Sequence, residues 1–374
     1  MDIFQLLHLA IAKGASDLHL VVSSPPVVRI NGLLQPVDDI PALTAEDIDQ
    51  AFRQITSEEE QENFNRDMEL DFGYDLRGAG RLRCNASKQR GGVSLVIRML
   101  PVTIPSIEAL GLPDVCKKLV LRPRGLVVVS GPTGSGKSTT LAAMIDHLNN
   151  TESRRVVTIE DPIEYVYDNK LCTITQRELG SDTLSFAEAL KHVLRQDPDV
   201  ILVGEMRDID TASAVLTVAE TGHLVLTTGH APSTSQAIER IIDMFPPHER
   251  SLVQSRLASL LNGILCQSLI PKIDGSGRVA AIEIMLATAA VRNLIREGKI
   301  YQLPNSIRTQ TRMGMALLDQ ALVNIYREGV ISRENMLAFC NNVEEVTKLS
   351  SEDSQEFAPR QSLAASPVNQ AYLD

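Results

Sequence analysis

The sequence predicts an α/β protein in two parts: a small α+β domain, then a larger one built on a parallel sheet covered by helices. Three observations predict it. Residues 1–100 mix short strand-like runs, turns and capped helices. From residue 113 onward, short β-branched runs alternate with helical stretches, the pattern of strands buried on both faces. Each of those runs then breaks into polar residues, where open α/β sheets bind their ligands.

The elements follow in order. A helix is expected from Ile3 to Lys13, ending at Gly14. Leu18–Val22 and Val27–Ile30 read as strands, with Asn31 and Gly32 as a hairpin turn. Thr44 with Asp47 opens a second helix, and Ser57 with Glu60 forms a capping box for a third. Leu70–Tyr74, Gly80–Asn85 and Val93–Arg98 read as further strands. Pro101 and Pro105 mark a linker over 101–112. The second domain is expected over 113–348, with its later part, from about residue 235, mostly helical. Leu252, Val253, Leu257, Leu260, Leu261, Ile264 and Leu265 fall at helical spacing. Residues 349–374 are polar and read as a disordered tail.

Composition narrows the function classes. A net charge of -11 argues against a broad nucleic-acid face, so no nucleic-acid partner is expected. The five cysteines are scattered, with no C-x-x-C pair, which argues against a zinc site or a disulfide framework. No signal peptide is recognised at Met1–Phe4, and no apolar run nears the roughly 18 residues of a membrane span. A cytoplasmic protein is expected, brought to a membrane only by partners.

The chemistry lies at the ends of four runs. Leu126–Val129 leads into Gly131, Pro132, Thr133, Gly134, Ser135, Gly136, Lys137 and Ser138, a complete P-loop, followed by a helix from Thr139 to Leu148. Its glycines let backbone N–H groups wrap phosphates at a helix N-terminus. Lys137 is expected on the β- and γ-phosphates of ATP, and Ser138 on Mg2+. Val200–Val203 ends at Gly204 and Glu205, a Walker B pattern that places Glu205 near the metal, while Asp199 bounds the strand's other end. Arg155–Ile159 ends at Glu160, Asp161, Pro162, Ile163 and Glu164. A carboxylate there is placed to orient or deprotonate water; an ordinary acidic turn fits the spacing equally well. His223 and His230 bracket the fourth run, with γ-phosphate sensing and a plain structural histidine as the alternatives for His230. Arg81, Arg83, Arg98 and Arg124 are either phosphate-contacting arginines or solvated surface charge.

Taken together these segments resemble the secretion ATPase superfamily of type II secretion and type IV pili, and within it the PilT/PilU group of pilus retraction ATPases. The likeness runs through Gly14–Leu20, the P-loop, Glu160–Tyr165, Leu194–Asp208, Ala219–His223 and Ala290–Glu297, leaving only the tail uncovered. It implies a PAS-like first domain, a RecA-like second domain and a homohexamer with ATP between subunits. It also implies an inner-membrane pilus platform protein as partner, with a paralogous pilus ATPase as a second. Glu164 becomes the catalytic base, Glu205 the Walker B acid, and His223 and His230 the histidine box. Arg81, Arg98 and Arg124 match nucleotide-contacting positions, with the first-domain arginines completing the neighbouring subunit's site. The implied activity is ATP-driven pilus retraction; assembly or secretion ATPases and RecA-like DNA translocases are the rivals. One departure stands out: Gly229 and Ala231 flank His230 where the superfamily usually has Leu before and Thr or Asn after.

Overall fold

The computed structural model describes residues 2–352 apart from 31, 78, 79, 101 and 102. The expected tail past 352 and the linker residue Pro101 therefore lie outside the described residues. The first part runs α1 (Ile3–Ala12), β1 (Asp17–Leu20), β2 (Val27–Ile30), β3 (Leu33–Pro36), α2 (Ala45–Gln54), α3 (Glu58–Asp67), β4 (Glu69–Leu76), β5 (Gly80–Gln89) and β6 (Gly92–Met99). Its strands form an antiparallel sheet in the order β3-β2-β1-β6-β5-β4. The expected capping box of Ser57 with Glu60 forms, and Thr44 with Asp47 forms a second one at the expected start of α2. They start α2 and α3 at defined residues, and Ile48, Phe52 and Phe64 then turn inward to the core of this sheet.

The second part opens with α4 (Val115–Val120) and β7 (Gly125–Ser130), which leads through the P-loop into α5 (Lys137–Asn149). Then come β8 (Arg155–Glu160), β9 (Thr173–Glu178), α6 (Phe186–Val193), β10 (Val200–Val203), α7 (Ile209–Glu220), β11 (Leu224–Thr228), α8 (Thr234–Asp243) and α9 (Arg250–Leu260). A hairpin of β12 (Leu261–Pro271) and β13 (Arg278–Leu286) precedes α10 (Ala289–Arg296), α11 (Leu303–Thr309), α12 (Leu318–Arg327), α13 (Arg333–Phe339) and α14 (Val343–Glu352). The sheet order is β13-β12-β7-β11-β10-β8-β9, parallel throughout except for β12 with β13. Side chains alternate across it. Val128, Val157, Ile201 and Val225 join the helices α6 to α10 on one face. Val127, Val129, Val156, Leu202 and Leu226 join α4 and α5 on the other. Burial on both faces is why these runs carry no polar alternation.

Two expectations fail here. Leu261, Ile264 and Leu265 are strand residues of β12, not a continuation of α9. Their helical spacing is a coincidence of a run buried on both sides, where period alone cannot separate strand from helix. Gly263 sits at a tight point of this strand: a Cβ there would lie 3.0 Å from the Met285 carbonyl oxygen and 3.2 Å from Leu119 Cδ2, so a side chain would crowd β13 and α4. Residues 349–352 of the expected tail are helical instead. Helix α14 continues to Glu352, with Val346 buried and Leu349 packed beside it on α12 and α13.

Candidate nucleotide-binding site

The carboxyl ends of β7, β11, β10 and β8 lie side by side, because all four strands are parallel and in register. That edge brings together Lys137, Ser138, Glu164, Glu205 and His230, with Gly134, Glu160, Arg207 and Thr228, around one cleft. Gly131, Gly134 and Gly136 hold φ of 143°, 77° and 87°, the left-handed backbone that lets the loop curl. Lys137 Nζ donates to the carbonyl oxygens of Gly131 at 2.9 Å and Pro132 at 3.1 Å. Burial pulls the Lys137 ammonium below its ordinary pKa, and the carboxylates of Glu205 and Glu164 oppose that shift. An ammonium held beneath a glycine loop and facing two carboxylates is a site for a charged, metal-bound phosphate chain.

One residue that sequence reading missed holds the loop in shape. Gln267 on β12 is 3 % exposed and donates from Nε2 to the Ser135 carbonyl oxygen at 2.7 Å. Its Oε1 accepts from Thr140 Oγ1 at 2.8 Å. A Cβ on Gly131 would sit 2.3 Å from the Gln267 carbonyl oxygen. The loop is thus wedged against β12 by side chain and backbone together. No local signal marks Gln267, since its strand was read as helix.

The acidic groups differ in environment. Glu205 is 8 % exposed; its carboxylate pairs with Arg207 and lies 3.3 Å from His230 Nε2. Glu160 accepts from Thr158 Oγ1 at 2.6 Å and Gln176 Nε2 at 3.2 Å, and burial raises its pKa to about 7. Glu164 sits on the loop after β8, next to Tyr165, whose hydroxyl lies 3.0 Å from Thr139 Oγ1. The hydroxyl of Ser138 and the carboxylate of Glu205 face the same cleft, an all-oxygen donor pair that suits Mg2+. Among the described residues no three His, Cys, Asp or Glu side chains form a metal cage. Mg2+ of this type takes its remaining ligands from phosphate oxygens and water.

A second cleft joins the first sheet to the phosphate loop. Arg83 and Arg98 line it together with Gly136, Lys137, Ser138, Thr139 and Arg278. Arg98 also donates from Nε to Asp17 Oδ1 at 2.9 Å. The other predicted cationic positions lie elsewhere. Arg81 is turned away into a pair with Glu178 and Asp75. Arg124 and His223 stand at the opposite edge of the second sheet, where the Gly125 amide donates to the His223 carbonyl oxygen at 2.9 Å. The His223 ring caps its own turn, with Nδ1 2.9 Å from Thr221 Oγ1 and 3.3 Å from the Val218 carbonyl oxygen. A strand of that length puts both residues on the order of 20 Å from the phosphate loop. The chain does not bring either to its own nucleotide site.

Gly229 also acquires a reason. Its amide donates to the Val129 carbonyl oxygen at 3.0 Å, and a Cβ would lie 3.1 Å from Ser130 Oγ. A side chain there would crowd the Ser130 hydroxyl, which donates to the Ala231 carbonyl oxygen at 2.7 Å. Glycine lets β11 hug β7, and His230 still reaches Glu205.

Known proteins agree with this geometry. The family described as "Type II/IV secretion system protein" matches residues 2–362. The type IV pilus retractation ATPase PilT of Pseudomonas aeruginosa is 47% identical over 335 residues, covering 90% of this chain and 97% of that protein. The type IV pilus ATPase PilU of the same organism is 41% identical over 359 residues, covering 95% and 94%. The crystal structure of the pilus retraction motor PilT with bound ADP superposes with a TM-score of 0.88 at 43% identity, covering 93% of this chain and 99% of that one. A complete phosphate loop at the carboxyl edge of a parallel sheet, matched over nearly the whole chain, makes this protein an ATP hydrolase of the type II/IV secretion system protein family.

Proposed function

We propose that this chain is the motor that withdraws type IV pili, working as a homohexamer at the cytoplasmic face of the inner membrane. The observation that carries the reading is the two-sided site: the phosphate loop is flanked by its own sheet's carboxylates on one side and by first-sheet arginines on the other. The near full-length likeness to a pilus retraction ATPase supports the choice of pilus over other secretion cargo. No helix among the described residues is long and apolar enough to cross a membrane, so attachment would come through a pilus platform protein of the membrane.

In this reading Lys137 and the loop amides bind the β- and γ-phosphates. Mg2+, held through Ser138 and Glu205, supplies charge neutralisation of the phosphates when bound. Glu164 orients the attacking water and takes its proton. His230 buttresses Glu205 from the strand alongside. Arg83 and Arg98 sense the phosphate charge from the first sheet, so that binding and release of nucleotide move one sheet against the other as rigid bodies. The test is a strain carrying Lys137→Ala. Cells should still make pili and fail to withdraw them; absence of pili would instead make this an assembly motor.

A further inference from the structure

The family resemblance puts Arg81 on a nucleotide, but the structure gives it a different partner. Arg81 lies on β5 of the first sheet. Its Nη2 donates to Glu178 Oε2 at 2.7 Å and its Nη1 to Asp75 Oδ2 at 2.9 Å. Glu178 closes β9, the edge strand of the second sheet. The pair is well covered, with side-chain exposures of 16% for Arg81 and 5% for Glu178. The same Glu178 Oε2 accepts the Ile163 backbone N–H at 3.0 Å. Ile163 directly precedes Glu164. One carboxylate oxygen therefore joins the first sheet to the loop that carries Glu164.

The surroundings are built for this contact. The Glu178 amide donates to Asp182 Oδ2 at 2.8 Å, and the Leu179 amide donates to the Glu160 carbonyl oxygen at 2.8 Å, which fixes the end of β9 against β8. Gly73 on β4 leaves the passage open. A Cβ there would stand 2.5 Å from Arg81 Nη2 and 3.1 Å from Glu178 Oε1.

We propose that Arg81 and Glu178 are a positioning pair, through which docking of the first sheet sets the Glu164 loop and gates hydrolysis. This rests on the reading of Glu164 as the group that orients water. With Arg81 docked, the Glu178 carboxylate is neutralised and free to hold the Ile163 amide in one place. When the first sheet swings away, Glu178 becomes a buried charge without its cation and turns toward solvent. The Ile163 anchor is lost with it, and Glu164 drifts from its aligned position, where small displacements are costly to catalysis.

The experiment is a double-mutant cycle on the full chain, reading kcat, KM and affinity for a fluorescent ADP analogue. Arg81→Ala and Glu178→Gln should each lower kcat about ten-fold, and the double variant should be no slower than the slower single, because both remove one contact. Affinity for the ADP analogue should stay within about two-fold, since neither group touches nucleotide in this arrangement. Arg81→Lys should recover part of the rate. Gly73→Ala keeps every charged group and obstructs only the passage, so it should lower kcat as well and serves if Arg81→Ala fails to fold. Multiplying losses in the double variant, unchanged turnover in Gly73→Ala, or loss of ADP affinity in Arg81→Ala would overturn the pair. Glu164→Gln is the separate control. If it keeps full turnover, the role of Glu164 falls, while coupling between Arg81 and Glu178 is still read from the cycle.

Discussion

The two edges of the second sheet are made from the same strands and behave as opposites. At the amino edge, polar groups are spent on closing the structure. The Arg155 amide donates to Asp199 Oδ2 at 2.7 Å. Arg154 donates to the carbonyl oxygens of Arg122 and Leu121 at 2.8 and 3.0 Å. Asn262 Nδ2 donates to the Arg124 carbonyl oxygen at 2.8 Å. At the carboxyl edge, Lys137, Glu160, Glu164, Glu205 and His230 crowd into one cleft, and the pKa values of Lys137 and Glu160 are displaced. Residue type does not separate the edges, since arginine and histidine occur at both. Strand direction does, because backbone groups and helix N-termini converge only where parallel strands end.

The sharpest test of that contrast is Lys137→Ala, which should lower ATP turnover by on the order of a hundred-fold or more, measured as phosphate release, by removing a charge aimed at the phosphates. A residual rate near that of the unaltered protein would end the reading of the carboxyl edge as the site. Gln267→Ala should come next. It strands the Ser135 carbonyl and the Thr140 hydroxyl, costing about 1–3 kcal/mol in urea unfolding, and should weaken ADP binding by loosening the loop. Stability lost without any change in ADP affinity would show that the wedge is structural only.

Glu160 gives a pH signature. Its pKa rises to about 7 in the folded protein because burial disfavours the anion. The folded state then keeps a proton that the unfolded chain releases, so stability falls as pH rises from about 4.5 to 7 and levels off above. The swing should be at most about 3 kcal/mol. Urea unfolding at pH 5 and pH 7 should show it, and Glu160→Gln should flatten it. The smallest effect is expected at the amino edge. Arg124→Ala and His223→Ala should each change ADP affinity by less than about two-fold, as groups well separated from the site act independently of it. A large loss in a calorimetric titration would mean that a neighbouring subunit borrows that edge.

How much was legible follows from where the physics is local. The phosphate loop could be read because its constraint is local: glycines at φ that other residues avoid, followed by a lysine and a hydroxyl. That Glu205 would reach the cleft was legible because an apolar run announces where its strand ends, whereas Glu164 was singled out within its acidic cluster only by the family resemblance. The starts of α2 and α3 were legible because their caps are local too. Gln267 was not, since its role depends on β12 lying against the loop, about 130 residues away in sequence. Arg81 and Arg98 look alike in the sequence. Only the register of the first sheet, pairing Asp75 with Arg81 and Asp17 with Arg98, points one toward Glu178 and the other toward the loop.

The hairpin of β12 and β13 deserves to be seen as a rod. Gln267 grips the phosphate loop partway along one strand, and unbroken pairing from Gly263 with Leu286 to Pro271 with Arg278 ties it to the other. That second strand ends at Leu286, just before Thr288 caps α10. Arg292 of α10 then clasps the carbonyl oxygens of Ala258 and Ser259 at the end of α9. Helix α10 is therefore tied, through one continuous hairpin, to the residue that grips the phosphate loop.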